Sequence, residues 1–281
     1  MKKVISASRR TDLVAFFPEW LSSVLKEEKA RVYGPAGHTY TVDLKPEAIH
    51  TFVLWSKNFS NLIEDKSELR KYLQRYEQLY LHFTITGLGG SFIERGAPPP
   101  SEAIFQLDDL IRFVKHSERL SIRFDPIVFW KEDGEVKTNL HFFEKLAPEL
   151  SQRGIKDVRF SFAQWYGKAV KRSAKYGFAY LDPSAEEKKE AALFLSQIAR
   201  HWNLSLFSCT QNFLAQIPGV RPSACIDGSA LQRFHPRGEL ASTKKDRSQR
   251  SECGCTESVD IGSYTQFCTH SCLYCYANPK V

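Results

Sequence analysis

Thr51-Phe52-Val53-Leu54-Trp55-Ser56-Lys57-Asn58 carries the reading of the fold. A run of β-branched and aromatic residues without polar alternation is a strand buried on both faces. It stops abruptly at Ser56-Lys57-Asn58, and Leu62, Leu69, Tyr72 and Leu73 then fall on one helical stripe. Strand, polar turn and amphipathic helix make one βα unit, and strands buried on both faces belong to parallel sheets.

The unit recurs along the chain. Val4 to Ser8 is a short strand ending in Arg9-Arg10-Thr11-Asp12, followed by Pro18 at a first helical position and Trp20, Leu21, Val24 and Leu25 on one face. Leu79 to Ile85 ends in Thr86-Gly87-Leu88-Gly89-Gly90; Ser101 then offers a helix cap before the stripe Ile104, Leu107, Ile111, Val114. Leu120 to Phe129 is interrupted by Arg123, Asp125 and Pro126 and followed by Leu140, Phe143, Leu146 and Leu150, with Gly154 as C-cap. Val158 to Ala163 ends in Gln164-Trp165-Tyr166-Gly167-Lys168, and Ser184 with Glu187 is a capping box for the next helix. Leu204 to Cys209 is a sixth strand and Val259 to Tyr264 a weak seventh; residues 32–46 read as irregular and 210–258 as mostly loop. The expectation is an α/β chain forming a full or partial (β/α) TIM-like barrel, one domain over 1–281 with a cysteine-rich segment at 210–281. An open doubly wound sheet is the alternative, and either gathers polar strand ends on one face.

The composition narrows the class. The chain has 281 residues, a net charge of +7 and seven cysteines. No apolar run reaches the ~18 residues of a membrane span, and Met1-Lys2-Lys3-Val4-Ile5 leads into no apolar signal region. A cytoplasmic protein without membrane contact is expected, where cysteines serve metals or catalysis rather than disulfides. The basic charge suits an anionic substrate, and nucleic acid is compatible with it.

The last fifteen residues, Phe267 to Val281, hold Cys268, Cys272 and Cys275 in a Cys-x3-Cys-x2-Cys pattern with Tyr274 before the third cysteine. Three thiolates can hold three irons of a cubane cluster and leave the fourth open to a small molecule. Zinc with His270 as fourth ligand, or a redox disulfide, fits the same spacing. Cys209, Cys225, Cys253 and Cys255 remain, the count for a second iron–sulfur cluster or a zinc site.

The triplet resembles the cluster loop of radical S-adenosylmethionine (SAM) enzymes, and Tyr-Cys-Tyr-Ala-Asn-Pro resembles the spore photoproduct lyase branch. In those enzymes the loop follows the first barrel strand, whereas here it closes the chain. The pairing of Ser-x-Ser-Arg-Arg-Thr-Asp at 6–12 with Cys253-Gly254-Cys255 and the triplet resembles a bacterial family of unknown function. The resemblance implies a [4Fe-4S] cluster on Cys268, Cys272 and Cys275, SAM on its open iron, and a reductant such as a flavodoxin or ferredoxin. It also implies a barrel circularly permuted so that the last strand lies beside the first. Arg9, Arg10, Asp12, Lys57, Arg123, Asp125 and Tyr274 are then the candidate cofactor-binding residues. For Arg10 the alternative is an ion pair with Asp12, and for Arg123 one with Asp125. No acid–base or nucleophile role follows from the residues, and the substrate is not legible. A non-enzymatic module that carries electrons, or binds zinc and nucleic acid, is the competing reading.

Overall fold

The computed structural model describes residues 1–34, 37–277 and 279. Pro35 and Ala36 of the 32–46 stretch, and Asn278, Lys280 and Val281 of the terminal cysteine segment, lie outside the described residues. From the N-terminus, β1 (Lys3–Ala7) leads to α1 (Leu13–Phe16), α2 (Pro18–Lys26), β2 (Lys29–Tyr33), β3 (Thr39–Asp43), β4 (Ile49–Ser56), α3 (Ser60–Ile63), α4 (Leu69–Leu73) and β5 (Leu79–Thr84). The middle holds α5 (Pro100–Val114), β6 (Leu120–Ile127), β7 (Phe129–Glu132), β8 (Glu135–Thr138), α6 (Phe143–Gln152), β9 (Asp157–Phe162), α7 (Gly167–Lys175) and β10 (Ala179–Leu181). The C-terminal part holds α8 (Ala185–His201), β11 (Ser205–Ser208), β12 (Val220–Pro222), α9 (Gly228–Phe234) and β13 (Val259–Asp260).

Eight strands form one sheet in the order β12-β11-β9-β6-β5-β4-β1-β13, and every ladder in it is parallel. Seven follow one another across the sheet in chain order, and the eighth, β13, pairs with β1 through Ile5 opposite Val259 and Ser6 opposite Asp260. This is a cyclic order, but among the described residues β12 and β13 are edges with no ladder between them. The α/β parallel sheet is as expected; among the described residues no hydrogen-bonded closure into a full barrel is present. Both edges are short, and β12 ends in Pro222, which has no N–H to give a ladder.

All eight residues of β4 are buried because both faces of the sheet are covered. Phe52, Leu54, Leu81, Phe83, Ile122, Phe124 and Phe160 face the helices in the main core. Val4, Val53, Trp55 and Tyr80 face the other way and pack on Ile226, Leu231 and Ala241. The segment after β12 therefore crosses the inner face. Its backbone carbonyls are met by side chains in and just before β5: Gln78 Nε2 donates to Leu231 O at 2.8 Å, and the His82 ring lies 2.7 Å from Cys225 O.

Several local expectations hold. Ser184 and Glu187 form the reciprocal capping box of α8, and Gly154 takes a positive φ of 68° after α6. Others are corrected. Within the stretch read as irregular, β2 and β3 pair as an antiparallel hairpin, with Ala30, Val32 and Val42 turned inward by period-2 alternation. The fourth strand stops at Ile127, and β7, β8 and β10 make a small antiparallel sheet beside it. The 210–258 loop contains β12 and α9. Ser101 is not a cap: α5 begins at Pro100, with Pro99 in the N-cap position.

Candidate functional site

The C-terminal ends of the strands bring the polar segments together. Asp260, at the end of β13, accepts from Ser6 Oγ (2.9 Å), Ser8 Oγ (2.6 Å), the Arg9 N–H (2.8 Å) and the Gly262 N–H (2.9 Å). One carboxylate thus stitches a two-residue strand to β1 and launches the chain toward the cysteine triplet. Nothing in the sequence separates Asp260 from an ordinary surface carboxylate.

Asp12 is the second junction. It caps α1 by accepting from the Ala15 N–H (2.9 Å), and it also accepts from the Ser56 hydroxyl, the Lys57 N–H (2.9 Å) and His270 Nε2 (2.7 Å). The other His270 nitrogen lies 3.0 Å from Gly96 O. Both ring nitrogens are therefore engaged away from the thiols, so His270 holds the cysteine loop in place and is not a fourth zinc ligand in this conformation. Asp12→Ala removes a helix cap (~1 kcal/mol) and strands buried donors at ~1–3 kcal/mol. The expected loss is about 3 kcal/mol in urea unfolding, and a loss under about 1 kcal/mol would remove Asp12 from this role.

The loop itself is clamped. Leu273 is fully buried and its N–H donates to Ile93 O (3.0 Å), while the Gly96 N–H donates to His270 O (3.0 Å). A Cβ on Gly96 would stand 2.2 Å from Thr269 O, so only glycine allows this approach. Arg172 of α7 donates to the carbonyls of Leu273 (2.9 Å) and Cys275 (3.0 Å). Neither Gly96 nor Arg172 carries a sequence signal toward the cysteines.

Glu94 was also not legible. It is 1 % exposed, in the Gly-rich excursion after β5, and its carboxylate accepts from the Thr86 hydroxyl (2.7 Å), the Lys57 ammonium (3.0 Å) and the Tyr274 hydroxyl. Burial, the largest single influence, pulls the Lys57 ammonium toward neutrality, but the charge and hydrogen bond of Glu94 together with the nearby Cys272 and Asp125 hold Lys57 above the ordinary lysine range. Burial raises the thiols of Cys268 (to about 12), Cys272 and Cys275, with the charges of Asp12 and Glu94 adding to the first two. Such thiols become ligands when a metal takes the proton's place.

One cavity at this face is lined by Arg9, Trp55, Lys57, Arg123, Asp125, Tyr274 and every cysteine except Cys268. Arg9 and Arg123 both lie over the Trp55 ring, 5.6 and 5.1 Å from its centroid. Arg123 pairs with Asp125, which also accepts from Ser161. The Arg9 side chain donates to Ser258 Oγ (3.1 Å) and sits 3.8 Å from Asp246. Arg10 does not pair with Asp12. It donates to Gly262 O (2.8 Å) and Tyr40 Oη (3.3 Å), lies over Tyr264, and lines a neighbouring groove rather than this cavity. Cys209 and Cys225 approach to 4.0 Å between sulfurs. Among the described residues, no three Cys, His, Asp or Glu side chains are arranged around a common point as a bound metal ion requires.

Sheet and cavity together define an α/β protein with a cysteine-lined pocket at the carboxyl ends of a parallel sheet. The chain belongs to the family described as Domain of unknown function (DUF1848), which it matches over residues 4–277. No curated protein matches it.

Proposed function

We propose that the protein is an iron–sulfur enzyme of the radical SAM type, with Cys268, Cys272 and Cys275 holding a [4Fe-4S] cluster. The observation that carries the reading is the triplet loop, clamped by Arg172 and Gly96 beside a cavity that contains Arg9, Lys57 and Arg123. Three thiols, with both nitrogens of the neighbouring His270 engaged elsewhere, fit a cluster with one open iron. When bound and reduced by a flavodoxin or ferredoxin, such a cluster supplies the electron that cleaves SAM to methionine and a 5′-deoxyadenosyl radical. The chain's own residues position and exclude water. Lys57 and Glu94 fix the Tyr274 hydroxyl and the floor beside Cys272, and Arg9 and Arg123 offer guanidinium donors for a carboxylate. Trp55 is the flat surface between them.

The pairing of β13 with β1 supports a circular permutation of the radical SAM barrel. The strand that feeds the cysteine loop is last in the chain yet neighbours the first. The engagement of both His270 nitrogens counts against zinc at the triplet.

Anaerobically reconstituted and reduced protein should convert SAM to 5′-deoxyadenosine, with or without substrate. Arg9→Gln should weaken SAM binding by about 1–3 kcal/mol through loss of a charge-assisted contact. No 5′-deoxyadenosine, together with a reduced-cluster spectrum unaltered by SAM, would leave an electron carrier as the better reading.

A further inference from the structure

We propose that Cys209, Cys225, Cys253 and Cys255 form a tetrathiolate site for a single zinc ion, which pins the segment crossing the inner face to the mouth of the sheet. The proposal is independent of the iron–sulfur reading of the terminal triplet.

The four thiols arrive from three places: the end of β11, the turn after β12, and the Cys-Gly-Cys stretch before β13. They meet at one cavity. Cys209 Sγ lies 4.0 Å from Cys225 Sγ, and Cys225, Cys253 and Cys255 share one buried cluster with Cys209 packed against it. A zinc ion with Zn–S bonds of ~2.3 Å in a tetrahedron places its sulfurs about 3.8 Å apart. The Cys209–Cys225 approach is already at that spacing. A cubane cluster binds each thiolate to a different iron and holds its sulfurs farther apart, so this set suits one ion. Because no three of the thiols surround a common point in this conformation, binding one ion needs their side chains to turn inward together.

Two further observations point to a ligand. Gly254 permits the approach: a Cβ there would stand 2.7 Å from Ser223 O, so a larger residue would push Cys253 and Cys255 off the 223–225 backbone. The Ile226 N–H donates to Cys255 Sγ at 3.4 Å, the kind of outer contact that orients a ligating sulfur. Charge also matches. Zinc with four thiolates carries a net charge of about −2. Arg123 lines the same cavity as the four thiols, the buried Arg159 donates to the carbonyl of Ala224 beside Cys225, and the Nε of each lacks a hydrogen-bond partner among the described residues.

The consequence is structural. Residues 224–241 cover Trp55 and Tyr80, so tying Cys253 and Cys255 to the ends of β11 and β12 holds that cover, and with it the cavity wall.

Metal-free, reduced protein titrated with Co²⁺ should bind one ion per chain with the absorption of a tetrahedral tetrathiolate, and one equivalent of Zn²⁺ should displace it. Cys209→Ser, and Cys253→Ser with Cys255→Ser, should weaken zinc binding about 100-fold or more. The triple variant Cys268→Ser, Cys272→Ser, Cys275→Ser should keep full zinc while losing iron. No Co²⁺ uptake by the wild-type chain overturns the proposal even if the variants do not fold. So does retention of zinc by the Cys253/Cys255 variant, or occupation of the four thiols by iron and sulfide that zinc does not displace.

Discussion

Replacing Cys268, Cys272 and Cys275 together with Ala should remove about four irons per chain, the content of one cubane, and abolish 5′-deoxyadenosine formation. The effect is total rather than graded because, under the proposed function, each thiol would hold a different iron of one cluster. Zinc content should be untouched, since the other four thiols belong to a separate group. The folded state should survive: Leu273, His270 and the Arg172 clamp hold the loop through backbone groups and side chains other than the thiols. Iron and sulfide analysis beside a far-ultraviolet spectrum decides it, and unchanged iron would exclude the triplet as the cluster site.

The largest effect on stability is expected from Lys57→Met. Lys57 and Glu94 form an ion pair with side chains 14 % and 2 % exposed. Removing the ammonium leaves a buried carboxylate held by two neutral hydroxyls, from Thr86 and Tyr274. Breaking one side of a buried pair costs about 3–5 kcal/mol, whereas replacing both sides is often near neutral. The double variant Lys57→Met with Glu94→Gln should therefore recover most of the loss. Lys57 is raised in the folded state, so its contribution is complete below the ordinary lysine pKa and fades only as the pH rises through the raised value. Urea unfolding of the three proteins near neutral pH measures this; a single-variant loss below about 1 kcal/mol would show the pair to be dispensable.

The same residues show how far the sequence reaches. Strand-ending polar groups such as Lys57 were legible because an apolar run that stops at a charge marks a strand end, and parallel topology sends all such ends to one face. The triplet was legible from spacing alone. Glu94, Asp260 and Arg172 were not. Glu94 lies in a turn, Arg172 on a solvated helix and Asp260 at the end of a two-residue strand, places where carboxylates and guanidiniums are common, and each has a partner more than thirty residues away. The β2–β3 hairpin was missed because Gly34 and its neighbours mask a short alternation, and β12 because a three-residue edge strand carries no period.

By itself the sequence determined the α/β class, seven of the eight strands of the sheet, and the two groups of cysteines, because periodicity and spacing are local properties of a chain. Only the tertiary structure decided that β13 pairs with β1, that the sheet keeps two edges, that Arg10 braces Gly262 and that Asp12 grips His270. Those outcomes depend on which buried polar group finds which partner, and burial pairs groups by position in space rather than along the chain.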